Sequence, residues 1–236
     1  MRYNFRPQAI SDVERRQVPV AQEKPEVRAA FMRKVYTNLV WSMLIMLSGM
    51  YYALHTPTLL RNVLTHPILF IILFFGLFFW AQAVRLKPGI NIIALLVFAF
   101  VNGIFLAPTI AFYIARQGGM QIVFNAFSTT AVIFVGLTAY TLISKKDFSF
   151  LGGFLISGVI ALIIAMLVTS IFRMNVSDFP IAVIGALLFS GLILYDTSRI
   201  MRYLPANEYI SATLSLYLDF VNLFLFILRI FGGRRD

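Results

Sequence analysis

Two aspartates, Asp196 and Asp219, stand inside stretches that are apolar enough to cross a membrane. A charged side chain at bilayer depth is expensive, so an acid found there indicates a functional site with a partner. The turn at residues 205–208 lies about midway between the two acids. At about 1.5 Å rise per residue, an antiparallel helical pair would bring both carboxyls to similar depth, within about one turn. The spacing therefore permits a facing pair of carboxylates.

The chemistry open to such a pair follows from its charge. Two carboxylates close together in a low dielectric cannot both ionise freely, so they tend to share a proton. The pair can sense pH, or it can hold a hard cation such as calcium, with Ser215 and Asn222 as auxiliary oxygen ligands. It can also perform general acid/base hydrolysis, as aspartic proteases do. The structural alternative is an acid neutralised by Arg199, three residues after Asp196, or by Arg85.

Polar residues form a stripe along the last apolar stretch. Ser211, Ser215, Asp219 and Asn222 follow one another in steps of four, four and three. These steps place all four residues on one face of a helix. A stripe with an aspartate at its centre predicts a face that borders a polar interior cavity. The alternative is that the polar side chains of the stripe form their hydrogen bonds with one neighbouring helix.

Composition indicates the elements that must position these residues. The chain is 60% hydrophobic and 13% charged, with a mean hydropathy of +0.84. Several runs approach the roughly 20 apolar residues that cross a bilayer, and strand alternation is absent. An all-α polytopic membrane protein is therefore predicted, with a transmembrane domain over residues 34–236. Its seven spans are predicted at 35–54, 67–85, 90–114, 121–143, 149–172, 180–203 and 208–230.

The segment before the first span, residues 1–33, is polar and charged, and it is predicted to be a flexible cytoplasmic tail. The net charge of +10 is concentrated in that tail and at span ends, which indicates membrane topology rather than nucleic-acid binding. The basic bias places the N-terminus inside, and seven spans then place the C-terminus outside. The first half of the last span is polar, so a re-entrant segment is the alternative there.

Two kinds of chemistry are disfavoured by the residues present. The chain has no cysteine and two histidines, so neither a transition-metal site nor any other cofactor is expected. Intramembrane aspartyl proteases also place Tyr-Asp in one span, as at Tyr195 and Asp196, and a second aspartate in the next. Their second aspartate follows a Gly-x-Gly sequence, whereas residues 216–218 here are Leu-Tyr-Leu. Transport is therefore favoured over proteolysis, and the protein is predicted not to be an enzyme.

Several short motifs resemble those of the Bax inhibitor-1 family. They are the Leu-Tyr-Asp of residues 194–196, SLYLDFVNLF at 215–224, Leu-Arg at 228–229, FAFVNG at 98–103 and KKDFSFL at 145–151. The resemblance covers nearly all of residues 30–233, and the short loops are similar to those of bacterial members. It implies a seven-helix bundle with the last helix central, in a bacterial inner membrane.

The resemblance also implies a function, a pH-sensitive calcium leak gated by Asp196 and Asp219. In members of this type, an arginine at the inner end of the second span latches onto the first of these aspartates in the closed state. Arg85 takes that place here, and its alternative role is an ordinary cytoplasmic anchor. Some relatives carry an acid within the second span, whereas this chain is apolar from Phe70 to Trp80.

A second class of function is protein interaction. Other members of the family are described as partners of membrane-bound proteases or of death regulators. The resemblance therefore leaves open a module that restrains a membrane protease. The tail, with Glu23, Lys24 and Glu26 beside helix-forming residues, is where such a partner would bind.

Overall fold

The computed structural model of the chain describes residues 18–172 and 177–233, and these ranges contain eight α-helices. In chain order they are α1 Pro25–Leu54, α2 Pro57–Thr65, α3 Pro67–Ala83, α4 Ile90–Ile114, α5 Gly119–Ser144, α6 Gly152–Ile171, α7 Asp178–Arg202 and α8 Tyr209–Gly232. Two 3₁₀ turns, Val20–Gln22 and Ser149–Leu151, precede α1 and α6. Residues 1–17 of the predicted tail lie outside the described residues.

Six of these helices, α1 and α4 to α8, are long and apolar enough to cross a membrane. The helices α2 and α3 are separated by a bend of 93° and make a seventh span when they are counted together. Pro67 causes this break, because proline has no N–H to continue the hydrogen-bond ladder and restricts the residue before it. The prediction of an all-α polytopic bundle is confirmed.

The last helix, α8, is the centre of the bundle. It contacts α1, α3, α4, α5 and α7, and 61% of its apolar window is buried, against 17% for α6. It is also a single unbroken helix of 24 residues, about 36 Å long, without the turn that a re-entrant segment would require. The central position of the last helix is therefore confirmed.

The first helix begins earlier than the sequence predicted. Residues 1–33 were assigned to a flexible tail, but α1 starts at Pro25. Proline is favoured at the first helical position, and Phe31, Val35 and Leu39, spaced by four residues, are buried on one face. The helical domain therefore extends nine residues further toward the N-terminus than the predicted boundary at residue 34.

One end of the bundle is held together by contacts around the α7–α8 turn, residues 203–208, and we call it the hairpin-turn end. The N–H of Val20 donates to the Leu204 carbonyl at 2.8 Å, and Val20 is buried. Asn91, at the start of α4, donates to the Tyr209 hydroxyl at 2.9 Å. These bonds place the start of α1, the start of α4 and the α7–α8 turn at the same end of the bundle.

The helices α1 and α4 pack against each other through glycine. An added Cβ at Gly103 would overlap the backbone carbonyl oxygen of Met46, and one at Gly49 would overlap that of Phe100. Small residues allow transmembrane helices to approach at backbone distance, and this pair depends on that approach.

The Gly103→Ala variant is therefore expected to be destabilised by about 1–3 kcal/mol, because the two backbones must separate. Thermal unfolding of the purified protein in detergent measures the loss as a lower midpoint. Gly136→Ala is the matched control, since an added Cβ at Gly136 meets nothing within 4 Å. Equal unfolding midpoints for the two variants would show that the close approach is not needed.

Candidate functional site

The structure brings the two intramembrane aspartates together. Asp196 lies six residues before the end of α7, and Asp219 lies ten residues after the start of α8. Both are buried, with exposed fractions of 8% and 4%. Their carboxyls are within hydrogen-bonding reach of each other. An ionised carboxylate only accepts hydrogen bonds, so a bond between the two requires one proton. We call Asp196 and Asp219 the carboxyl pair.

Asp219 depends on its partner more than Asp196 does. Its Oδ2 receives no hydrogen bond from any N–H or hydroxyl group in the part of the chain that the structure describes. An unpaired polar atom at this depth is costly, because the surrounding medium cannot replace the hydrogen bonds of water. The position is therefore suited to an exchangeable occupant such as a proton or a cation.

Asp196 has a basic neighbour on its own helix. Arg199 Nη1 lies 3.6 Å from Asp196 Oδ1, one turn nearer the end of α7. The side chain of Arg199 is 47% exposed, whereas that of Asp196 is 12% exposed. The arginine therefore lies between the buried acid and the hairpin-turn end. This Arg199–Asp196 pairing was predicted from the sequence as the structural alternative to a functional role for Asp196.

Arg85, the predicted latch, has a different partner. Its Nε lies 2.9 Å from Glu208 Oε2, and its Nη1 donates to the Gln82 carbonyl at 3.0 Å. Within the described ranges it makes no ion pair with Asp196, so the predicted contact is absent. The reason is depth: Arg85 follows the end of α3 at the level of the α7–α8 turn, whereas Asp196 lies about 9 Å inside the end of α7.

Glu208 is the functional candidate that the sequence reasoning missed. It occupies the N-cap position of α8, where the helix dipole favours a negative charge. Its Oε2 also accepts a hydrogen bond from the Ser211 hydroxyl at 2.7 Å. The sequence did contain a signal for Glu208, because it is an acid in the α7–α8 turn at the same end as the predicted inner basic residues.

A polar cavity of about 400 Å³ opens between α3, α7 and α8 at the hairpin-turn end. Its polar lining residues are Gln82, Arg85, Arg199, Glu208, Ser211 and Ser215. Ser215 is one helical turn from Asp219, and Arg199 is one turn from Asp196. The cavity therefore leads from the hairpin-turn end to within one turn of the carboxyl pair.

The predicted polar stripe divides at Asp219. Ser211 and Ser215 line the cavity, as the stripe predicted. Asn222, beyond the carboxyl pair, donates through Nδ2 to the Leu218 carbonyl at 2.8 Å and does not line the cavity. Ser215 is therefore the auxiliary ligand that the cavity can present, whereas the amide of Asn222 is partly engaged by its own helix.

Aromatic side chains pack between α8 and α5 next to the carboxyl pair. Phe220, next to Asp219, packs edge-on against Phe127 and Phe134 of α5, with ring centroids 5.8 and 5.5 Å apart. Phe224 also packs against Phe127, at 6.3 Å. The surroundings of the pair are therefore apolar on this side, whereas the polar cavity lies toward the hairpin-turn end.

A resident metal ion does not fit these residues well. Among the residues that the structure describes, no group of three or more histidine, cysteine, aspartate or glutamate side chains could hold a metal. Calcium takes six to eight oxygen ligands, and the carboxyl pair supplies at most four. The arrangement suits a proton or a weakly held, partly hydrated cation.

Another acid at the hairpin-turn end, Asp147, is unsuited to sensing pH near neutrality. The backbone N–H of Ser149, which donates to Asp147 Oδ1 at 2.9 Å, lowers the pKa of this exposed carboxyl to about 2. Asp147 Oδ2 also accepts from the Tyr203 hydroxyl at 3.0 Å. Because the pKa is depressed, the contribution of Asp147 to stability is lost only as pH falls below its unfolded value toward 2. It stays ionised where a physiological sensor must titrate.

Fold and site together define a polytopic helical membrane protein with a buried carboxyl pair. A family profile described as "Inhibitor of apoptosis-promoting Bax1" matches residues 28–236. The chain belongs to the Bax inhibitor-1 family, as its motifs predicted.

Similar proteins occur in bacteria and eukaryotes. An "Uncharacterized membrane protein" of Vibrio cholerae is 40% identical over 157 residues, 66% of this chain and 70% of that protein. "Protein lifeguard 4" of Mus musculus is 34% identical over 213 residues, 89% of this chain and 87% of that protein. "Bax inhibitor 1" of Schizosaccharomyces pombe is 37% identical over 220 residues, 91% of this chain and 80% of that protein.

Proposed function

We propose that the protein is a pH-sensitive cation leak channel whose cargo is calcium and whose gate is the carboxyl pair. The observation that carries the proposal is the position of Asp196 and Asp219, buried beside the inner end of a polar cavity. A carboxyl pair at membrane depth is a functional site by default, and the cavity gives it an access route. No step of this function requires a resident cofactor or a chemical reaction.

The gating role follows from the charges around the pair. When the pair holds one proton, one carboxylate remains and Arg199 neutralises it. A second proton or an entering cation removes the attraction that holds Arg199 in place. The arginine is then released from Asp196, and the path from the cavity to the pair opens. Acidification therefore promotes opening, and Arg199 takes the latch role that the family resemblance implied for Arg85.

The small number of oxygens at the pair is consistent with conduction. A conducting site must bind an ion strongly enough to admit it and weakly enough to release it. Two carboxyls with the Ser215 hydroxyl nearby meet that requirement better than a closed calcium cage. Proteolysis is less well supported, since Leu216, Tyr217 and Phe220 are buried around Asp219 and leave a peptide backbone no room.

Calcium flux into liposomes that contain only the purified protein tests the proposal. Flux should depend on protein and rise as external pH is lowered from about 8 to about 6. Liposomes without protein are the control. Equal flux in the two preparations would remove the channel function.

The polar cavity is proposed to face the cytoplasm of a bacterial cell, with the protein in the inner membrane. The basic residues at the hairpin-turn end, Arg85, Lys87, Lys145, Lys146, Arg199 and Arg202, favour the inner side. On this orientation the carboxyl pair is reached from the cytoplasm.

Reporter fusions test the orientation. A reporter before Arg2 is expected inside the cytoplasm and one after Asp236 outside, because seven crossings put the two ends on opposite sides. Finding both ends inside would mean that the bent pair of α2 and α3 enters and returns. The segment to be tested for a full membrane crossing is thus the bent pair of α2 and α3, whereas α8 is a single unbroken helix.

A protein-interaction role remains the second candidate, because Val20 attaches the N-terminal segment to the turn beside the cavity. A partner that pulled on the tail would act on that turn. Replacing Glu23, Lys24 and Glu26 with glutamine separates the two functions, since it removes the charges expected to bind a partner and leaves Val20 and the buried face of α1 intact. A leak should survive these substitutions, whereas a tail-mediated interaction with a membrane protease should not.

A further inference from the structure

A second pocket at the hairpin-turn end has a different chemical character from the polar cavity. It encloses about 160 Å³, and its polar lining consists of four basic and two hydroxyl side chains. They are Arg28, Thr141, Lys145, Lys146, Ser198 and Arg202. No carboxylate of the described residues lines the pocket, and the adjacent Asp147 offsets only Arg202, so the wall carries an excess of positive charge.

Three of the four cations form no ion pair with a described residue. Arg28, Lys145 and Lys146 form no ion pair anywhere in residues 18–172 and 177–233. Arg202 is already engaged, because it donates to the Lys145 carbonyl and its Nε lies 3.9 Å from Asp147 Oδ1. Like charges gathered around one small pocket repel each other, and an anion placed among them relieves that repulsion.

Three elements build the pocket and hold its shape. Arg28 comes from the first turn of α1, and the lysines come from the segment between α5 and α6. Lys145 adopts a left-handed backbone with φ of 52°, which ends α5 and turns the chain. Ser198 of α7 accepts a hydrogen bond from the Phe148 N–H at 3.1 Å and so fixes the segment to the bundle. The basic residues are therefore held on a packed frame.

Large apolar side chains are exposed in the chain on both sides of the two lysines. Ile143, two residues before Lys145, is 80% exposed, and Phe150, four residues after Lys146, is 76% exposed. Large apolar side chains beside a pair of lysines mark the boundary between acyl chains and headgroups. The pocket therefore lies at the depth where phospholipid phosphates lie.

We propose that this pocket binds the phosphate of an anionic phospholipid, with Arg28, Lys145 and Lys146 around the phosphate. Basic pockets between transmembrane helices on the inner side are suited to such headgroups. The pocket is distinct from the polar cavity, because the two share no lining residue, although α7 contributes different residues to each. The site does not depend on the channel function.

Native mass spectrometry of the full-length protein in a neutral detergent tests this site, with added phosphatidylglycerol as the probe and phosphatidylcholine as the comparison. The parent is expected to bind phosphatidylglycerol at least about tenfold more tightly than phosphatidylcholine. A variant with Arg28→Gln, Lys145→Asn and Lys146→Gln should lose that preference. Asparagine at position 145 tolerates the left-handed backbone.

The matched control carries Arg33→Gln, Arg61→Gln and Lys87→Gln, which removes the same charge outside the pocket. It should keep the preference, and equal loss in both variants would reduce the effect to net charge and overturn the site. Lys146→Glu alone changes an exposed side chain, so the protein should stay folded, and it should also abolish the preference for phosphatidylglycerol. If this variant keeps the preference, the proposed site is wrong. Displacement of phosphatidylglycerol by millimolar inorganic phosphate would overturn the lipid assignment in favour of a soluble phosphate.

Discussion

The Asp219→Asn variant is expected to conduct calcium with a flatter dependence on pH than the parent. The substitution keeps the shape and hydrogen-bonding capacity of the side chain but removes one of the two titrating carboxyls. The pair can then no longer share a proton, and only Asp196 is left to titrate, so the pH response loses the contribution of the second carboxyl. Folding should be retained, because a neutral amide costs less to bury than a carboxylate.

Calcium flux in liposomes at several pH values measures this effect. Asp178→Asn is the matched control, since Asp178 is an exposed acid at the opposite end of α7, away from the pair. The control should keep the parent's pH profile. If Asp219→Asn also keeps that profile, the carboxyl pair is not the sensor.

The second large effect is expected from Arg199→Gln, which should raise the leak at neutral pH by about tenfold. Stranding one member of a buried ion pair costs about 3–5 kcal/mol, and an exposed pair contributes up to about 1 kcal/mol. The Arg199–Asp196 pair joins a half-exposed side chain to a buried one, so we expect the free-energy cost of breaking it to lie between these two values. The closed state should lose stability, while the open state, in which the pair is separated, should not.

A double-mutant cycle distinguishes a latch from a general loss of positive charge. If Arg199 latches Asp196, then combining Arg199→Gln with Asp196→Asn should add little to either change alone. Arg85→Gln is the matched control, because Arg85 pairs with Glu208 at the cavity mouth. Its effect should add to that of Asp196→Asn. Strong coupling of Asp196 to Arg85, with none to Arg199, would restore the latch predicted from the sequence.

The sequence was most informative where apolar runs are long and acids are rare. Asp196 and Asp219 stood out because few charged groups share their stretches, and helical rise placed them at similar depth. The seven spans followed from hydropathy alone, and each overlaps a helix of the structure. Burial in the membrane or the bundle restricts the residue types allowed both in the spans and around the two aspartates, and the pattern of residue types in the sequence shows this restriction.

Sequence reasoning was weaker where partners depend on small differences in depth. Arg85 could be assigned to the correct end of the bundle, but a pattern cannot resolve whether it reaches Asp196 or stops at Glu208. The same limit applies to the start of α1, where charged residues on the exposed face obscured the buried spacing of Phe31 and Val35. The basic pocket around Arg28 and Lys146 could not be predicted from the sequence for a related reason, since these two residues are more than one hundred residues apart in the chain.

The peripheral position of α6 makes this protein convenient for spectroscopy. The helix packs mainly on α7, and most of its surface faces away from the bundle. The chain contains no cysteine, so any cysteine introduced becomes a unique attachment point for a spin label or a fluorophore. A label at Ile160, which is 53% exposed on α6, would leave the core intact. Paired with a second label at exposed Tyr203, it would report in real time on movement at the end of α7.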